Sequence, residues 1–272
     1  MRPADIESVR NFFVEEKCSR IKNKWDALYR RSPLHHMLYK KITSRSRFER
    51  FFDCYLQGKK ADWDVLPDSL QGTILDVGCD IPLDAFWMQN VDSVTHVTTV
   101  DLKTASSSLS TKTTMVTGDA TRLPFADNTF DTVCSFSAIE HVPCRHLQKK
   151  WICEMTRVVK PGGTISVTVD NTWSILNGFL WYRLVPNRFM LPISWKDLTN
   201  MVTSSGNIEI QKYASSRLYQ YTSWLRPWAE SYLSYLLEKA LTPLNGRFPA
   251  IDGRIGLRYT KLKPSLPEKG AL

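Results

Sequence analysis

The middle of the chain alternates short β-branched runs with stretches of helical spacing. The run Ile74–Val77 surrounds one acid with apolar residues and ends at Gly78, which is typical of a buried parallel strand followed by a tight turn. Further strands are predicted at 94–100, 113–117, 130–136, 164–169, 208–213 and 257–262, and helices at 84–89, 147–159 and 195–203. The turn 160–163 is expected to separate a helix from the next strand. This alternation predicts an α/β fold with a doubly wound, mostly parallel sheet.

The rest of the chain departs from this alternation. Residues 1–60 have helical spacing of apolar positions and are predicted to form a basic helical amino-terminal extension or lid. The α/β domain is expected over residues 61–265, and residues 266–272 form a tail. Helical insertions rich in aromatic residues are expected at 171–194 and 217–250, near the carboxyl terminus. Aromatic stripes usually belong to a core, but insertions between strands are where α/β enzymes build lids and substrate walls.

Charge and cysteine content indicate which classes of binding partner and which cellular compartment to expect. Residues 1–60 contain 15 Lys and Arg against 7 Asp and Glu, and so carry most of the net charge of +9. Such a segment favours anionic partners, or it is a solvated helix face that aids solubility. The 6 cysteines form no Cys-x-x-Cys pair, and no stretch is apolar enough to span a membrane. We therefore expect a cytoplasmic protein, with contact to an anionic membrane surface as a second expectation for the stripe 224–241.

Acids follow successive predicted strands. Asp101 ends the second strand, where a carboxylate is placed to accept hydrogen bonds from both hydroxyls of a ribose. Asp119, after the third strand, can accept from an exocyclic amine. Leu102 can pack on an adenine face. Because the carboxyl ends of parallel strands meet at one edge, these residues together predict an adenosine site.

The loop after the first strand distinguishes between adenosine ligands. A dinucleotide site needs two more glycines after Gly78, and this chain has neither of them. Asp76 and Asp80 would repel a pyrophosphate but attract a cation. S-adenosylmethionine carries a sulfonium, an amine and an adenosine. It is therefore the cofactor that this pattern favours.

Four sequence motifs resemble those of a known family. They are 74–79 (ILDVGC), 118–131 (GDATRLPFADNTFD), 139–142 (IEHV) and 157–163 (RVVKPGG). In this order they resemble the Rossmann-like S-adenosylmethionine-dependent methyltransferases, and in particular the subgroup of ubiquinone and menaquinone biosynthesis. The resemblance covers residues 74–170 and implies a seven-stranded sheet and methyl transfer.

The resemblance also implies roles for individual residues. Asp76, Gly78 and Cys79 would line the methionine side, Asp101 would take the ribose hydroxyls, and Asp119 and Ala120 the adenine edge. The backbone of Ser135 and Phe136 would face the amino-acid end. Asp80 belongs to the same cofactor loop, although the family usually has glycine there. Pro82 fixes its own φ and removes a donor, so we expect this loop to follow an unusual path.

His141 is the candidate catalytic residue. It follows the fourth strand, and its ordinary pKa near 6.5 suits a general base for a hydroxyl nucleophile. The alternative is a structural histidine at a helix start. His141, Cys144, His146 and Cys153 match no common zinc framework, so we expect no metal.

The function predicted from the sequence is methyl transfer to a partly apolar small molecule or lipid-like acceptor, whose pocket is built from residues 1–60 and the two insertions. An alternative is an RNA or protein methyltransferase that grips its substrate with the basic amino terminus. Residues 1–60 lack a recognisable nucleic-acid module, which counts against it. A second alternative is a non-catalytic member of the fold, favoured by the altered cofactor loop.

Overall fold

The computed structural model describes residues 62–79, 83–103, 111–142, 144–172, 191–216 and 253–264. Several expectations from the sequence fall outside these residues. They are the helical extension 1–60, Asp80 and Pro82, nearly all of both insertions, and the tail 266–272.

The described residues form seven strands and three α-helices. The strands are β1 (Gly72–Val77), β2 (Val94–Asp101), β3 (Thr113–Thr117), β4 (Phe130–Phe136), β5 (Val159–Asp170), β6 (Ile208–Ser216) and β7 (Arg254–Lys261). The helices are α1 (Leu83–Met88), α2 (Arg145–Val158) and α3 (Trp195–Thr203), and a 3-10 turn spans Ile139–His141. Ser194 caps α3, because its side chain accepts a hydrogen bond of 3.1 Å from the Asp197 amide.

The strands form one sheet in the order β3-β2-β1-β4-β5-β7-β6. Strands β1 to β5 pair in parallel, and β7 runs antiparallel to both of its neighbours. The expected seven-stranded, mostly parallel α/β sheet is thus confirmed. The chain crosses over beside β1, and in open α/β sheets such a switch point is where ligands bind.

Apolar residues cover both faces of the sheet. Successive residues of a strand point to opposite faces, so Ile74 joins one core cluster while Leu75 joins the other. The Ile74 cluster includes Ala85 and Met88 of α1. The Leu75 cluster contains the buried faces of α2 and α3. Helices therefore pack on both sides of the sheet.

Strand β5 begins earlier than the sequence predicts. The expected start was Thr164, after a turn at 160–163, but the strand spans Val159–Asp170. Val159 pairs with Phe130 and Thr164 pairs with Thr132, so residues 160–163 form a bulge within one continuous pairing. Gly162, at a φ of 84°, provides the left-handed residue that this bulge uses.

The end of β5 leads into the first insertion. Asn171 forms an isolated parallel bridge with Ile193, and the Thr172 amide donates to the Ile193 carbonyl at 3.3 Å. The two ends of segment 173–190 therefore lie side by side at the carboxyl end of β5.

Residues 62–66 pack across β5 and β7. The buried Arg254 guanidinium forms an ion pair of 2.9 Å with Asp62, which also accepts a hydrogen bond from the Thr168 hydroxyl. Ser166 Oγ donates to the Val65 carbonyl at 2.7 Å, and Arg258 Nη1 donates to the Leu66 carbonyl at 2.6 Å. No helix among the residues that the structure describes is both long and apolar enough to cross a membrane.

Candidate cofactor and active site

A cavity of about 640 Å³ opens at the carboxyl ends of β1, β2 and β4. Its lining includes six of the residues singled out from the sequence: Gly78, Asp101, Leu102, Asp119, Ala120 and His141. They come from strand ends that are far apart in the sequence and adjacent in the sheet. The same lining contains residues that were not predicted, namely Val100, Gly118, Thr121, Ser137, Ala138, Val142, Leu147 and Trp151.

Gly78 forms the floor of the cavity where β1 ends. Its amide donates a hydrogen bond of 2.8 Å to the Val100 carbonyl, and its φ is 83°. A Cβ at this position would lie 2.5 Å from Ala138 Cβ and 3.0 Å from Trp151 Cζ2. Both the backbone conformation and the close packing therefore require glycine here.

The two acids at the cavity rim are oriented by their own loops. Asp101 Oδ1 accepts from the Lys103 amide at 3.0 Å. Asp119 Oδ1 accepts from the amide and the hydroxyl of Thr121, both at 2.8 Å. The Gly118 amide donates to the Asp101 carbonyl at 2.9 Å, which joins the ends of β2 and β3. Both carboxylates are accessible and can accept further hydrogen bonds at Oδ2.

Leu102 lies beside Asp101 with 73% of its surface exposed. An exposed leucine at a cavity rim offers an apolar face to a planar ring. Ala120, which is buried, also lines the cavity. This arrangement of two apolar surfaces and two carboxylates suits an adenosine.

Other predicted residues flank the cavity without lining it. Asp76 is buried at 3% exposure, and Cys134 Sγ lies 3.8 Å from its Oδ1. Burial raises the pKa of the Cys79 thiol, and the neighbouring Asp76 carboxylate raises it further. These shifts favour the protonated thiol, which is the weaker nucleophile, at Cys79. Ser135 and Phe136 have buried side chains within the sheet.

His141 ends the 3-10 turn after β4 and is exposed at the cavity. Its amide donates to the Ala138 carbonyl at 3.0 Å. The turn itself is held by Gln148 of α2, whose Nε2 lies 3.1 Å from the Val142 carbonyl and 3.3 Å from the Ile139 carbonyl. The imidazole therefore stands on a well-braced backbone at the mouth of the cavity.

Buried acids lie behind this turn. Glu140 is fully buried, and its Oε1 accepts from the Asp170 amide at 3.2 Å. Its carbonyl accepts from the Leu191 amide at 2.6 Å. Burial raises the pKa of Glu140 well above its usual value, and the Asp170 carboxylate adds to the shift. Glu140 thus connects the turn that carries His141 to both ends of segment 173–190.

The cysteine–histidine group considered from the sequence does not form a metal centre here. Cys144 Sγ lies 3.9 Å from His146 Nε2. In the part of the chain that the structure describes, no three His, Cys, Asp or Glu side chains converge in a way that could hold a metal ion.

Comparison with known proteins is consistent with this geometry. Residues 75–167 match the family model described as a methyltransferase domain. This part of the chain is a methyltransferase domain, and it is similar to those of S-adenosylmethionine-dependent methyltransferases. The matched residues run from β1 through β5, and so include the residues that line the cavity.

Curated relatives of this methyltransferase domain share part of their length with the chain. A demethylmenaquinone methyltransferase of Bacillus cereus is 31% identical over 139 residues, which are 50% of this chain and 51% of the relative. The methyltransferase GfsG of Streptomyces halstedii is 30% identical over 103 residues, 35% of this chain and 36% of the relative. The chain thus spans about half the length of the first of these relatives, and less of the second.

Solved structures share the fold of the methyltransferase domain. Haemonchus contortus phosphoethanolamine N-methyltransferase 2, in complex with phosphomonomethylethanolamine and S-adenosylhomocysteine, has a TM-score of 0.51 and 17% identity. The match covers 78% of this chain and 52% of that one.

The residues present fit S-adenosylmethionine, the cofactor of this family. Carboxylates at the ends of β2 and β3 suit the ribose and the adenine amine, and an apolar surface flanks each of them. Gly78 has no side chain, so it contributes only backbone to the cavity lining. The cavity-lining residues Ser137 and Trp151 carry buried polar atoms, Oγ and Nε1, that have no hydrogen-bond partner among the described residues.

Signals for the missed residues are weak in the sequence. Trp151 occupies an apolar position of α2 and looks like ordinary core. Ser137 adopts a φ of 49°, which no residue pattern announces for a serine.

Proposed function

We propose that this chain transfers the methyl group of S-adenosylmethionine to a partly apolar small molecule or lipid-like acceptor. The observation that carries the proposal is the meeting of Gly78, Asp101 and Asp119 at one cavity. S-adenosylmethionine supplies an electrophilic methyl group on a sulfonium. The protein's task in such a transfer is to align the acceptor with that methyl group and to exclude water.

In this proposal the two rim acids hold the adenosine. Asp101 accepts from the ribose hydroxyls, and Asp119 accepts from the adenine amine, with Leu102 and Ala120 packing on the ring. Asp76, Gly78 and Cys79 form the methionine side, together with Asp80 and the backbone of Ser135 and Phe136. A negative charge at Asp76 would favour the cationic part of the cofactor.

Calorimetric titration with S-adenosylhomocysteine tests this assignment. We expect one binding site, and an Asp101→Asn variant should bind about tenfold more weakly because a charged acceptor is lost. Asp92→Asn, an exposed acid in the loop before β2, is the matched control and should leave affinity unchanged. No heat up to about millimolar ligand would favour a non-catalytic protein instead.

His141 is the proposed general base for a hydroxyl acceptor. It is exposed and lines the cavity, so its imidazole is available to an acceptor bound there. A His141→Asn variant should lose about a hundredfold in turnover and retain its affinity for S-adenosylhomocysteine. Equal turnover in both proteins would remove His141 from the catalytic role.

The acceptor class is argued from the chain's aromatic insertions and from the relative named demethylmenaquinone methyltransferase. We propose that residues 1–60 and both insertions build this pocket. Incubation with radiolabelled methyl donor and three acceptor pools distinguishes the classes: quinol precursors, total RNA and total protein. Label that extracts into an organic solvent supports the proposal. Label that precipitates with RNA or protein overturns it.

Contact with an anionic membrane is a separate proposal. It rests on the basic residues of 1–60 and on the aromatic stripe 224–241. Flotation with vesicles containing anionic lipid should recover the protein at low salt, and neutral vesicles should not. Equal recovery with both vesicle types would contradict an electrostatic contact.

A further inference from the structure

Trp151 lines the cavity, and its indole packs against Gly78. Trp151 is only 8% exposed, and its Cζ2 lies 3.0 Å from the place where a Cβ on Gly78 would be. Cζ2 is separated from Nε1 by one ring carbon, so the N–H lies beside the turn that ends β1. A buried indole N–H usually finds an acceptor. This one has no partner among the described residues, although it belongs to a residue that lines the cavity.

Ser137 also lines the cavity, and its side chain carries a second unpartnered group. Its Oγ is buried and makes no hydrogen bond with any described residue. Its φ of 49° lies in the left-handed region, which is costly for a residue with a Cβ. The Ser137 amide holds this conformation by donating to the Thr168 carbonyl at 2.9 Å. Strain at a cavity wall is typical of a residue that positions a ligand.

The two groups differ in chemistry from the rim acids. Asp101 and Asp119 are acceptors, whereas an indole N–H is a donor only and a hydroxyl can donate. The donors lie at Gly78 and after β4, and the acids lie at the ends of β2 and β3. A ligand that spans this cavity therefore needs hydroxyls or an amine at one end and an acceptor at the other.

We propose that Trp151 Nε1 and Ser137 Oγ bind the carboxylate of the cofactor's amino-acid moiety. The inference rests on the proposed cofactor site. It goes further because it assigns a side chain of helix α2 to binding of the carboxylate. A carboxylate is the acceptor that gains most from two donors in a dry pocket. The adenosine end would then be fixed by acids and the amino-acid end by neutral donors.

The test compares ligands that differ at the amino-acid end. S-adenosylhomocysteine carries the carboxylate, and 5′-methylthioadenosine shares its adenosine and thioether but lacks the whole amino-acid end. Trp151→Phe retains an aromatic ring and removes the N–H. It should weaken S-adenosylhomocysteine binding about tenfold and change methylthioadenosine binding less than about twofold. Decarboxylated S-adenosylmethionine keeps the amine but lacks the carboxylate. Its affinity should therefore also change less than about twofold in Trp151→Phe.

Trp195→Phe is the matched control. Trp195 packs against Tyr213 with the two rings tilted and a ring-centroid distance of 5.4 Å, at the β6 edge of the sheet and outside the cavity lining. Its replacement should leave affinity for both ligands unchanged. Equal losses of both ligands in Trp151→Phe would place the indole against the adenosine and overturn the proposal. Unchanged S-adenosylhomocysteine affinity would overturn it as well.

Ser137 provides a test that does not depend on the folding of a tryptophan variant. Ser137→Gly relieves the left-handed strain, Ser137→Ala keeps it, and both remove the hydroxyl. Both variants should lose affinity for S-adenosylhomocysteine by a similar factor and retain their affinity for methylthioadenosine. A loss in the alanine variant alone would mean that backbone strain, not the hydroxyl, sets affinity. If the wild-type protein binds neither ligand, the proposed function itself fails.

Discussion

Gly78 meets two independent constraints, a left-handed backbone and a contact with Ala138 and Trp151. Gly78→Ala should therefore cost about 2–4 kcal/mol of unfolding free energy, from conformational strain together with overpacking. Gly162→Ala is the matched control, because Gly162 has a similar φ of 84° but its nearest neighbour, Lys263 Cε, is 3.6 Å away. It should lose only about 1–2 kcal/mol. Urea denaturation of both variants measures the difference, and equal losses would contradict the packing argument.

Glu140 makes stability depend on pH. Its pKa is raised in the folded protein, mainly by burial and then by Asp170, so the folded state holds the proton more tightly than the unfolded state. The stability that it contributes is full below its ordinary pKa of 4.5 and is lost as pH rises through the folded value.

Glu140→Gln mimics the protonated acid. Relative to the wild type, it should therefore become more stable as pH rises from about 5 to about 8. Denaturation curves across this range measure the trend. A variant that becomes relatively less stable at high pH would indicate an ionised Glu140 that relies on Arg254.

The residues of the candidate site were predictable in part. Asp101, Leu102 and Asp119 follow predicted strands, and parallel pairing brings such positions to one edge. Trp151 and Ser137 were missed because their positions depend on tertiary packing and on a rare backbone conformation. Local sequence contains neither kind of information.

At the scale of elements, helix α2 braces the cavity wall. Gln148 is fully buried, and its Nε2 lies 2.9 Å from the Leu191 carbonyl as well as near the 3-10 turn. Arg145 Nη1 donates to Gln148 Oε1 at 2.7 Å and so fixes the orientation of the amide. One side chain thus holds the turn of His141 and the return of segment 173–190 together.

Gln148→Ala should cost about 1–3 kcal/mol, because it leaves buried carbonyls without their donor. Lys149→Ala, at the exposed next position of the same helix, should change stability by less than about 0.5 kcal/mol. Thermal unfolding of the two variants gives the comparison. Similar shifts in melting temperature would show that the amide contributes no more than helix propensity.

Elements with a strong local pattern matched their predicted bounds. Thr113–Thr117, Phe130–Phe136 and Trp195–Thr203 agree with the sequence expectation. The last strand was expected at 257–262 but spans Arg254–Lys261, because its pairing with β5 begins at Arg254. The start of β5 was also missed, since a bulge over two glycines looks like a turn in sequence. Pairing across the sheet determines both boundaries.

At the scale of the whole molecule, residues 62–66 precede the first strand of the sheet and contact its last strand, β7. Asp62 and Arg254 are 192 residues apart and form a pair that is almost fully buried. Breaking such a pair leaves an uncompensated buried charge. The sequence gives no sign of this contact, because each partner resembles an ordinary surface charge.

Asp62→Asn should cost about 3–5 kcal/mol of unfolding free energy. Asp68 is the matched control, since it is 93% exposed and lies 3.6 Å from Arg258 of the same strand. Asp68→Asn should change stability by less than about 1 kcal/mol. Denaturant titration measures both, and a small loss in Asp62→Asn would mean that Thr168 and the remaining neighbours suffice.

The bridge between Asn171 and Ile193 has an evolutionary consequence. Because the two ends of segment 173–190 are already adjacent, a replacement of different length closes onto the same anchor points at little entropic cost. Relatives could therefore exchange this stretch as a cassette while β5, α3 and the cavity floor stay in register. If this segment contributes to the acceptor pocket as proposed, grafting it between homologues should alter acceptor choice and leave cofactor affinity unchanged.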